Sequence, residues 1–282
     1  MKMNELYRIS GTSKQAFHQY MDKQMLVLDE QQQLLPIIGQ IRADHPRLSV
    51  RQMYTMISPQ SMGRDNFEQF CYQYGFKLTV KRAFHRTTNS LSVTRFENLI
   101  TGLELIGVNQ VWASDITYYR IGERFYYITF ILDLYSRFIV GYAVSVGMLT
   151  EQTTIPALNM ALKQRQPAKG LIFHSDGGGQ YYSKKFLAIT KSNLIENSMC
   201  ESVYENAHAE RINGTVKNDY LVHYTPKDYK QLVTLTDKAV NMYNFFRPHS
   251  SIGNISPATY ELSTKTTLVN EEKRSKKEIL QQ

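Results

Sequence analysis

The fold is decided by one apolar stretch that carries a single acid, Val111-Trp112-Ala113-Ser114-Asp115-Ile116-Thr117. Its β-branched and aromatic residues predict a strand from Gln110 to Tyr119, with Asp115 near the middle. A carboxylate buried unpaired in such a strand costs roughly several kcal/mol. Asp115 therefore needs a metal, a cation or a hydrogen-bond cluster, and it is a candidate functional residue.

A second carboxylate, Asp176, follows the apolar stretch 171–175 and precedes three consecutive glycines at 177–179. This position predicts the carboxyl end of a strand, where α/β sheets open their ligand crevices. Glycines there allow another backbone to approach closely. His174, at the end of the same strand, is predicted to be a hydrogen-bonded histidine; a general base is the alternative.

The rest of this region alternates between strand and helix patterns. The predicted order is strands Gln110–Tyr119, Phe125–Asp133 and Arg137–Val144, helix Thr150–Gln164, strand Gly170–Phe173, helix Ser183–Lys191, strand Leu194–Met199 and helix Asn206–Tyr220. This βββαβαβα order is typical of an RNase H-like α/β core, a mixed five-stranded sheet flanked by helices. A last helix is predicted over Lys227–Asn244. Asp133 is expected to cap the turn at Ser136 or to pair with Arg137, not to bind metal.

A third carboxylate has four candidates, Glu196, Glu201, Glu205 and Glu210. The first three fall in a loop or at a helix start, where a solvated or capping role is usual. Glu210 lies further into its helix and shares a polar stripe with Asn206, Asn213 and Lys217. An ordinary solvated helix face explains the same stripe. Hard oxygen ligands with few histidines nearby would select Mg²⁺ or Mn²⁺, and two such ions can hold both the attacking and the leaving oxygen of a phosphodiester.

The N-terminal part has a different texture, short helices separated by turns. Predicted helices are 13–22, capped by Ser13, then Glu30–Ala43, Val50–Ile57 after Ser49, and one after Gly63 with Phe67, Phe70, Cys71 and Tyr74 on one side. A helix-turn-helix module and a generic helical bundle explain this pattern equally well. The predicted organisation is a small all-α region over 1–76, a basic linker over 77–108, the α/β core over 109–262 and a charged tail over 263–282.

Charge and composition indicate the class of partner. The chain of 282 residues has a formal net charge of +8, which favours a polyanion such as nucleic acid or an acidic membrane surface. No run of about 18 apolar residues and no signal-peptide pattern is present, which disfavours the membrane. From Lys77 to Arg95 the linker carries cations without acids, and its candidate phosphate contacts are Lys81, Arg82 and Arg86. Cys71 and Cys200 form no disulfide or zinc pattern, so a cytoplasmic location, with the bacterial nucleoid as the place of action, is expected.

Four ordered motifs resemble the integrase-core (OrfB-type) transposases of bacterial insertion sequences, which are DDE enzymes related to retroviral integrases. The segments are 111–118, 174–181, 205–210 with Lys217 following, and 243–253 with Ser256-Pro257. The resemblance implies that Asp115, Asp176 and Glu210 are the catalytic metal ligands and that Mg²⁺ or Mn²⁺, as two ions, is the cofactor. It further implies that Lys217 touches transposon-end DNA and that residues 1–76 bind DNA. Asn213 and Gln180 are further candidate DNA contacts.

The leading hypothesis is a DNA transposase that cleaves transposon ends and joins them by attack of a 3′-hydroxyl on a phosphodiester. The expected partners are double-stranded DNA, a second or further copies of the chain, and an upstream OrfA protein by fusion or pairing. Alternatives are a metal-dependent nuclease of the same fold, a DNA-binding repressor with an inactive core, and a tyrosine recombinase. The segment Arg247-Pro248-His249 is interpreted as a structural terminus beside the active site, with a phosphate-binding Arg/His pair as the alternative.

Overall fold

The computed structural model describes residues 7, 9, 11–78, 96–200 and 207–264. Contacts divide the chain into two units, Met1–Arg82 and Ala83–Gln282. This division falls inside the predicted basic linker, and the predicted domain boundaries stay predictions. Most of the predicted tail, 265–282, lies outside the described residues. Within the described part of the chain, no helix is both long and apolar enough to cross a membrane.

The first unit is built on one long helix, α1 (Lys14–Asp44). Its start is as predicted, since the Ser13 hydroxyl accepts a hydrogen bond from the Ala16 amide at 3.1 Å. The expectation of two helices, 13–22 and Glu30–Ala43, is wrong. Residues 23–29 contain neither glycine nor proline and are good helix formers, so nothing stops the helix between them.

Two short helices complete the first unit, α2 (Val50–Ile57) and α3 (Arg64–Gln73). The predicted cap of α2 is confirmed as a capping box between Ser49 and Gln52. Tyr74 is the C-cap of α3 and lies on the same side as Phe70, as predicted, with ring centres 4.9 Å apart, although its side chain is 55% exposed. The three helices enclose one core, formed by Leu34, Ile38, Leu48, Val50, Met53, Met62, Phe67, Phe70 and Cys71. The helix-turn-helix interpretation of this unit stays a prediction.

The second unit contains a five-stranded mixed sheet with the order β3-β2-β1-β4-β5. The strands are β1 (Val111–Ile121), β2 (Arg124–Asp133), β3 (Ile139–Ser145), β4 (Ile172–Ser175) and β5 (Glu196–Met199). The first three strands, which were predicted in this order, form an antiparallel meander, and β4 and β5 run parallel to β1 and to each other. The predicted RNase H-like α/β core is confirmed in its strand order and directions.

Helices cover both faces of this sheet. They are α4 (Thr154–Arg165), α5 (Lys184–Ser192), α6 (Ala207–Gly214) and α7 (Tyr229–Asn241). Strand alternation divides β1 between two cores: Val111 and Ala113 pack with α6 and α7, whereas Trp112 packs with α4 and α5. The prediction that Trp112 belongs to the core is confirmed, since it is fully buried.

The helix predicted over Asn206–Tyr220 is more complex than expected. Its α-helical part, α6, ends at Gly214, and the chain continues as a π-helix over Thr215–Leu221 and a single α-turn over Val222–Tyr224. A second π-helical segment, Met242–Phe246, follows α7. Since π-helices place about one more residue in each turn, face assignments made at 3.6 residues per turn fail beyond Gly214. π-helical segments are frequent at functional sites.

Candidate active site

The register between β1 and β4 sets the positions of Asp115 and Asp176. The last parallel pair that joins these strands is Ser114 with Ser175, and each aspartate is the next residue along its strand. Neighbouring strands lie about 4.8 Å apart, so the two carboxylates emerge next to each other at the carboxyl end of the parallel pair. This adjacency follows from the register, since the parallel pairing of β1 with β4 ends at Ser114 and Ser175.

Asp115 is held by two hydrogen bonds. The Ile116 amide donates to Oδ1 at 2.8 Å, and the Asn213 side-chain amide donates to Oδ2 at 2.6 Å. Burial, and then the charges of Asp176 and Glu210, raise the pKa of Asp115 to about 7, although these two hydrogen bonds act to lower it. The carboxylate thus sits where negative charge is disfavoured and a bound cation would be favoured.

Asp176 lies on an exposed turn that its own side chain helps to shape. Its Oδ1 accepts a hydrogen bond from the Gly178 amide at 3.0 Å. Gly177 has φ +75°, a conformation that glycine adopts without strain, and a Cβ there would overlap the side chain of Met199 on β5. The predicted need for glycine after this aspartate therefore has a local cause, a left-handed turn against β5.

Glu210 lies in the first turn of α6, and its charge acts on Asp115. Packing of Ala209 and Ile212 against β1 keeps this turn next to the sheet. Among the other candidates, Glu196 is exposed at the start of β5. Glu201 and Glu205 lie outside the described residues. The structure thus supports Glu210 over Glu196, and its choice as third ligand stays a prediction.

The predicted DNA contacts fall into different environments. Asn213 is buried and faces Asp115, so its contact in the structure is with the acid cluster, and its Oδ1 has no partner among the described residues. The Lys217 ammonium lies 4.4 Å from the ring centre of Tyr118, and burial lowers its pKa. Gln180 donates to the Met148 carbonyl at 3.1 Å. Lys81, Arg82 and Arg86 lie outside the described residues.

Two residues beneath the acids were not singled out from the sequence. The Tyr181 and Ser114 hydroxyls are hydrogen-bonded at 3.0 Å inside the protein. Burial, and then the charges of Asp176 and Asp115, raise the pKa of Tyr181 well above its usual value. The buried Tyr181 side chain, hydrogen-bonded to Ser114, therefore supports the part of the sheet from which both acids emerge. The position of Tyr181 five residues after Asp176 is the sequence signal by which it could have been singled out.

Three structural interpretations of other residues are confirmed. His174 is buried and pairs through Nδ1 with the Ser198 hydroxyl at 2.9 Å. Asp133 accepts from the Tyr135 and Ser136 amides at 3.0 Å, which caps the predicted turn. Arg247, of the Arg-Pro-His segment, forms a 2.7 Å ion pair with Asp219. Each of these groups has a structural partner.

Within residues 7–78, 96–200 and 207–264, as far as these are described, no three His, Cys, Asp or Glu side chains already stand together as ligands of one metal ion. Asp115, Asp176 and Glu210 interact by charge without meeting at coordination distance. The three side chains nevertheless offer carboxylate oxygens, which are the ligands that hard divalent cations prefer. Burial and the like-charged neighbours disfavour the ionised form of Asp115, and a bound cation would stabilise it.

Comparison with known proteins gives matches over the second unit. Residues 107–203 and 195–257 each match a family described as an integrase core domain. An insertion element IS600 uncharacterized 31 kDa protein from Shigella sonnei is 34% identical over 209 residues, which cover 71% of this chain and 75% of that protein. The transposase InsF for insertion sequence IS3A from Escherichia coli (strain K12) is 35% identical over 159 residues, 55% of this chain and 54% of InsF.

Solved structures were compared as well. The HTLV-2 integrase catalytic core domain in complex with magnesium (dimeric form) has a TM-score of 0.45 and 20% identity, covering 55% of this chain and 97% of that one. The simian T-cell lymphotropic virus intasome in complex with PP2A regulatory subunit B56 gamma has a TM-score of 0.48 and 16% identity, covering 56% of this chain and 57% of that one. The sequence matches, and above all the 34% identity that extends over three quarters of the IS600 protein, decide the assignment. The chain belongs to the transposases of bacterial insertion sequences that have an integrase core domain.

Proposed function

We propose that this chain cleaves transposon ends and joins them to DNA, with Asp115, Asp176 and Glu210 holding Mg²⁺ or Mn²⁺ as two ions. The observation that carries the proposal is the β1–β4 register, which brings Asp115 and Asp176 out side by side next to α6. The InsF relative is named a transposase, and this supports the same reaction class here.

The cation would offset the burial and the like charges that together raise the pKa of Asp115 to about 7. When bound, divalent ions of this kind stabilise the attacking and leaving oxygens of a phosphodiester. The chain's own residues set the geometry. Asn213 holds one oxygen of Asp115, and the Gly178 amide holds one oxygen of Asp176, so each carboxylate presents its remaining lone pairs in a defined direction.

Lys217 would meet the negatively charged backbone of the transposon end. Its ammonium rests on the Tyr118 ring, and burial already lowers its pKa, so a phosphate would replace a cation–π contact with a charge-assisted hydrogen bond. Gln180, on the turn that follows Asp176, would contact the same strand. Lys81, Arg82 and Arg86 would add phosphate contacts from the linker.

The expected partners follow from the reaction. Joining needs two transposon ends and a target duplex held together, so the active species would be a dimer or higher oligomer on double-stranded DNA. Binding of DNA by residues 1–76 and pairing with an OrfA protein belong to the same proposal. Reading the DNA around the gene for short inverted repeats and an overlapping upstream frame would test the last point.

The reaction is tested with labelled end DNA, target DNA and Mg²⁺. Wild-type protein is expected to give joined product, whereas hydrolysis without any joining would identify a nuclease and refute the transposase. Glu210→Gln is expected to abolish joining and to leave DNA binding intact, which also separates an enzyme from a repressor. Glu196→Gln, a matched change at an exposed glutamate in the same unit, is expected to behave as wild type. Loss of joining in Glu205→Gln but not in Glu210→Gln would identify a different third ligand, and a covalent protein–DNA adduct would indicate a tyrosine recombinase.

A further inference from the structure

A cluster of cationic side chains lies outside the carboxylate site, where the β2–β3 turn, α6 and the Arg-Pro-His segment come together. Its centre is Tyr243, which is 1% exposed and whose hydroxyl has no hydrogen-bond partner among the described residues. Buried hydroxyls normally have a partner, so an unpaired one indicates a ligand that completes it. The edge of the His249 ring packs against Tyr243, with ring centres 6.1 Å apart.

Arg137 brings the first cation to this hydroxyl. It is a non-glycine residue with φ +64°, an uncommon left-handed conformation, and its amide donates to the Asp133 carbonyl at 2.9 Å. The Nη1 atom of its side chain is buried and has no hydrogen-bond partner within the described ranges. Positive φ at a non-glycine residue is uncommon and occurs both at turns and at ligand sites, and here it accompanies a buried, unpaired guanidinium nitrogen.

Helix α6 brings a second cation, Arg211, and a histidine, His208, whose pKa is lowered by burial and by Arg137 and Arg211. Arg211 acts electrostatically on the Tyr243 hydroxyl, and both Arg211 and His208 act on His249. Both α6 residues are exposed, so they lie where the cluster opens to solvent. The Arg211 side chain makes no hydrogen bond or ion pair in the part of the chain that the structure describes.

The nearby acids are already engaged. The Asp133 carboxylate, which attracts Arg137, accepts from the amides of Asn109, Tyr135 and Ser136. Asp219 forms its ion pair with Arg247. Within the described ranges, neither Arg137 nor Arg211 forms an ion pair with these acids, so both cations can interact with a ligand.

We propose that this cluster is a binding site for a phosphate group, formed by Arg137, Arg211, Tyr243 and His249. Guanidinium groups match phosphate oxygens in charge and geometry, and a buried tyrosine hydroxyl supplies a directed donor. The site goes beyond the proposed function, because none of its residues belongs to the carboxylate triad. It also gives the Arg-Pro-His segment a second role: Arg247 is its structural anchor, and His249 faces the ligand.

Inorganic phosphate is the first probe, and its binding is measured by the broadening of its ³¹P NMR line in EDTA at pH 7. Samples are brought to the same ionic strength with chloride. Wild-type protein is expected to bind phosphate. Arg211→Gln is expected to weaken binding at least tenfold, and Tyr243→Phe, which keeps the ring packing, several-fold. Lys191→Gln removes an exposed cation from α5 and is expected to bind as wild type. Equal broadening by wild type and Arg211→Gln, or none by wild type, would overturn the proposal.

Duplex DNA is the second probe and identifies the source of the phosphate. Each backbone phosphate neutralised contributes about 0.9 to the slope of log K against log salt concentration. If DNA supplies the phosphate group, DNA binding measured by fluorescence anisotropy will show a salt dependence whose slope is smaller in magnitude by about 0.9 for Arg211→Gln. The slope for Lys191→Gln will equal that of the wild type. Phosphate binding with an unchanged slope in Arg211→Gln would assign the site to a free phosphate compound. Asp115→Asn is expected to lose joining and to keep phosphate binding, so failure of the proposed reaction would leave this inference standing.

Discussion

Asp115→Asn is expected to stabilise the metal-free protein at pH 8, although it removes a residue proposed to be essential. The reason is that burial, Asp176 and Glu210 together raise the pKa of Asp115 from 3.8 to about 7, so its ionised form destabilises the native state. An amide at this position carries no charge and has nearly the same shape. The free Oδ1 of Asn213 can accept a hydrogen bond from it once the Asn213 amide rotates.

The size of the effect follows from the two pKa values. The difference between 3.8 and about 7 corresponds to about 4 kcal/mol at a pH where the native carboxylate is ionised. This is an upper bound, because Asp115 is only partly buried and its surroundings can relax. A gain of about 1–3 kcal/mol in the free energy of unfolding is expected.

The dependence on pH gives the sharper test. Because the pKa is higher in the native state than in the unfolded chain, the native protein binds more protons between about pH 4 and pH 7. The stability of the wild type therefore falls as pH rises through this window and stays low above it. The advantage of Asp115→Asn should be small at pH 4 and complete above pH 7.

Urea unfolding in EDTA measures this advantage through Trp112, the single tryptophan of the chain, which is buried in β1 three residues from the mutation. Asp228→Asn is the matched control, since Asp228 is an exposed cap of α7 and asparagine caps equally well. Mg²⁺ is expected to stabilise the wild type and not Asp115→Asn. A variant no more stable than wild type at pH 8, or an advantage independent of pH, would refute the electrostatic reasoning.

Two further predictions concern the packing that supports the site. Gly141→Ala is expected to destabilise the second unit by about 1–3 kcal/mol in urea unfolding, because its Cβ would lie 2.3 Å from the Ala157 carbonyl oxygen of α4. Gly214→Ala, whose Cβ meets nothing closer than 3.9 Å, should show no such loss, and equal stabilities would contradict this account. Asn244→Ala is expected to lower the melting temperature by several degrees. The buried Asn244 side chain accepts a hydrogen bond from the Ile139 amide at 2.8 Å and donates one to the Ile139 carbonyl at 3.0 Å. Their loss costs about 1–3 kcal/mol. An unchanged melting temperature would show that water replaces these bonds.

Some of this protein could be predicted from local sequence. Runs rich in β-branched and aromatic residues predicted the strands, and Asp115 and Asp176 stood out because each ends or interrupts an apolar run. Their adjacency followed with little extra information, since parallel strands bring their carboxyl ends to one edge of a sheet. The caps at Ser13 and Ser49 were equally local and are confirmed.

Other local signals misled or were too weak. The Gly11-Thr12 break marked the start of α1, and nothing in 23–29 marks an end, so the split into two helices had no physical basis. The change from α-helix to π-helix at Thr215 also has no visible sequence signal.

The tertiary structure alone decided which distant residues share a site. Glu210 was one of four candidates, and packing of α6 on β1 brings its charge to act on Asp115, while its choice as third ligand stays a prediction. Asn213 was expected to contact DNA, yet the same packing buries it against Asp115. The local sequence around β1 and β4 thus determined by itself where Asp115 and Asp176 lie, because the pattern of a strand depends on residues that are close together in the chain. Their partners come from residues about a hundred positions away, and only sheet register and helix packing bring such residues together.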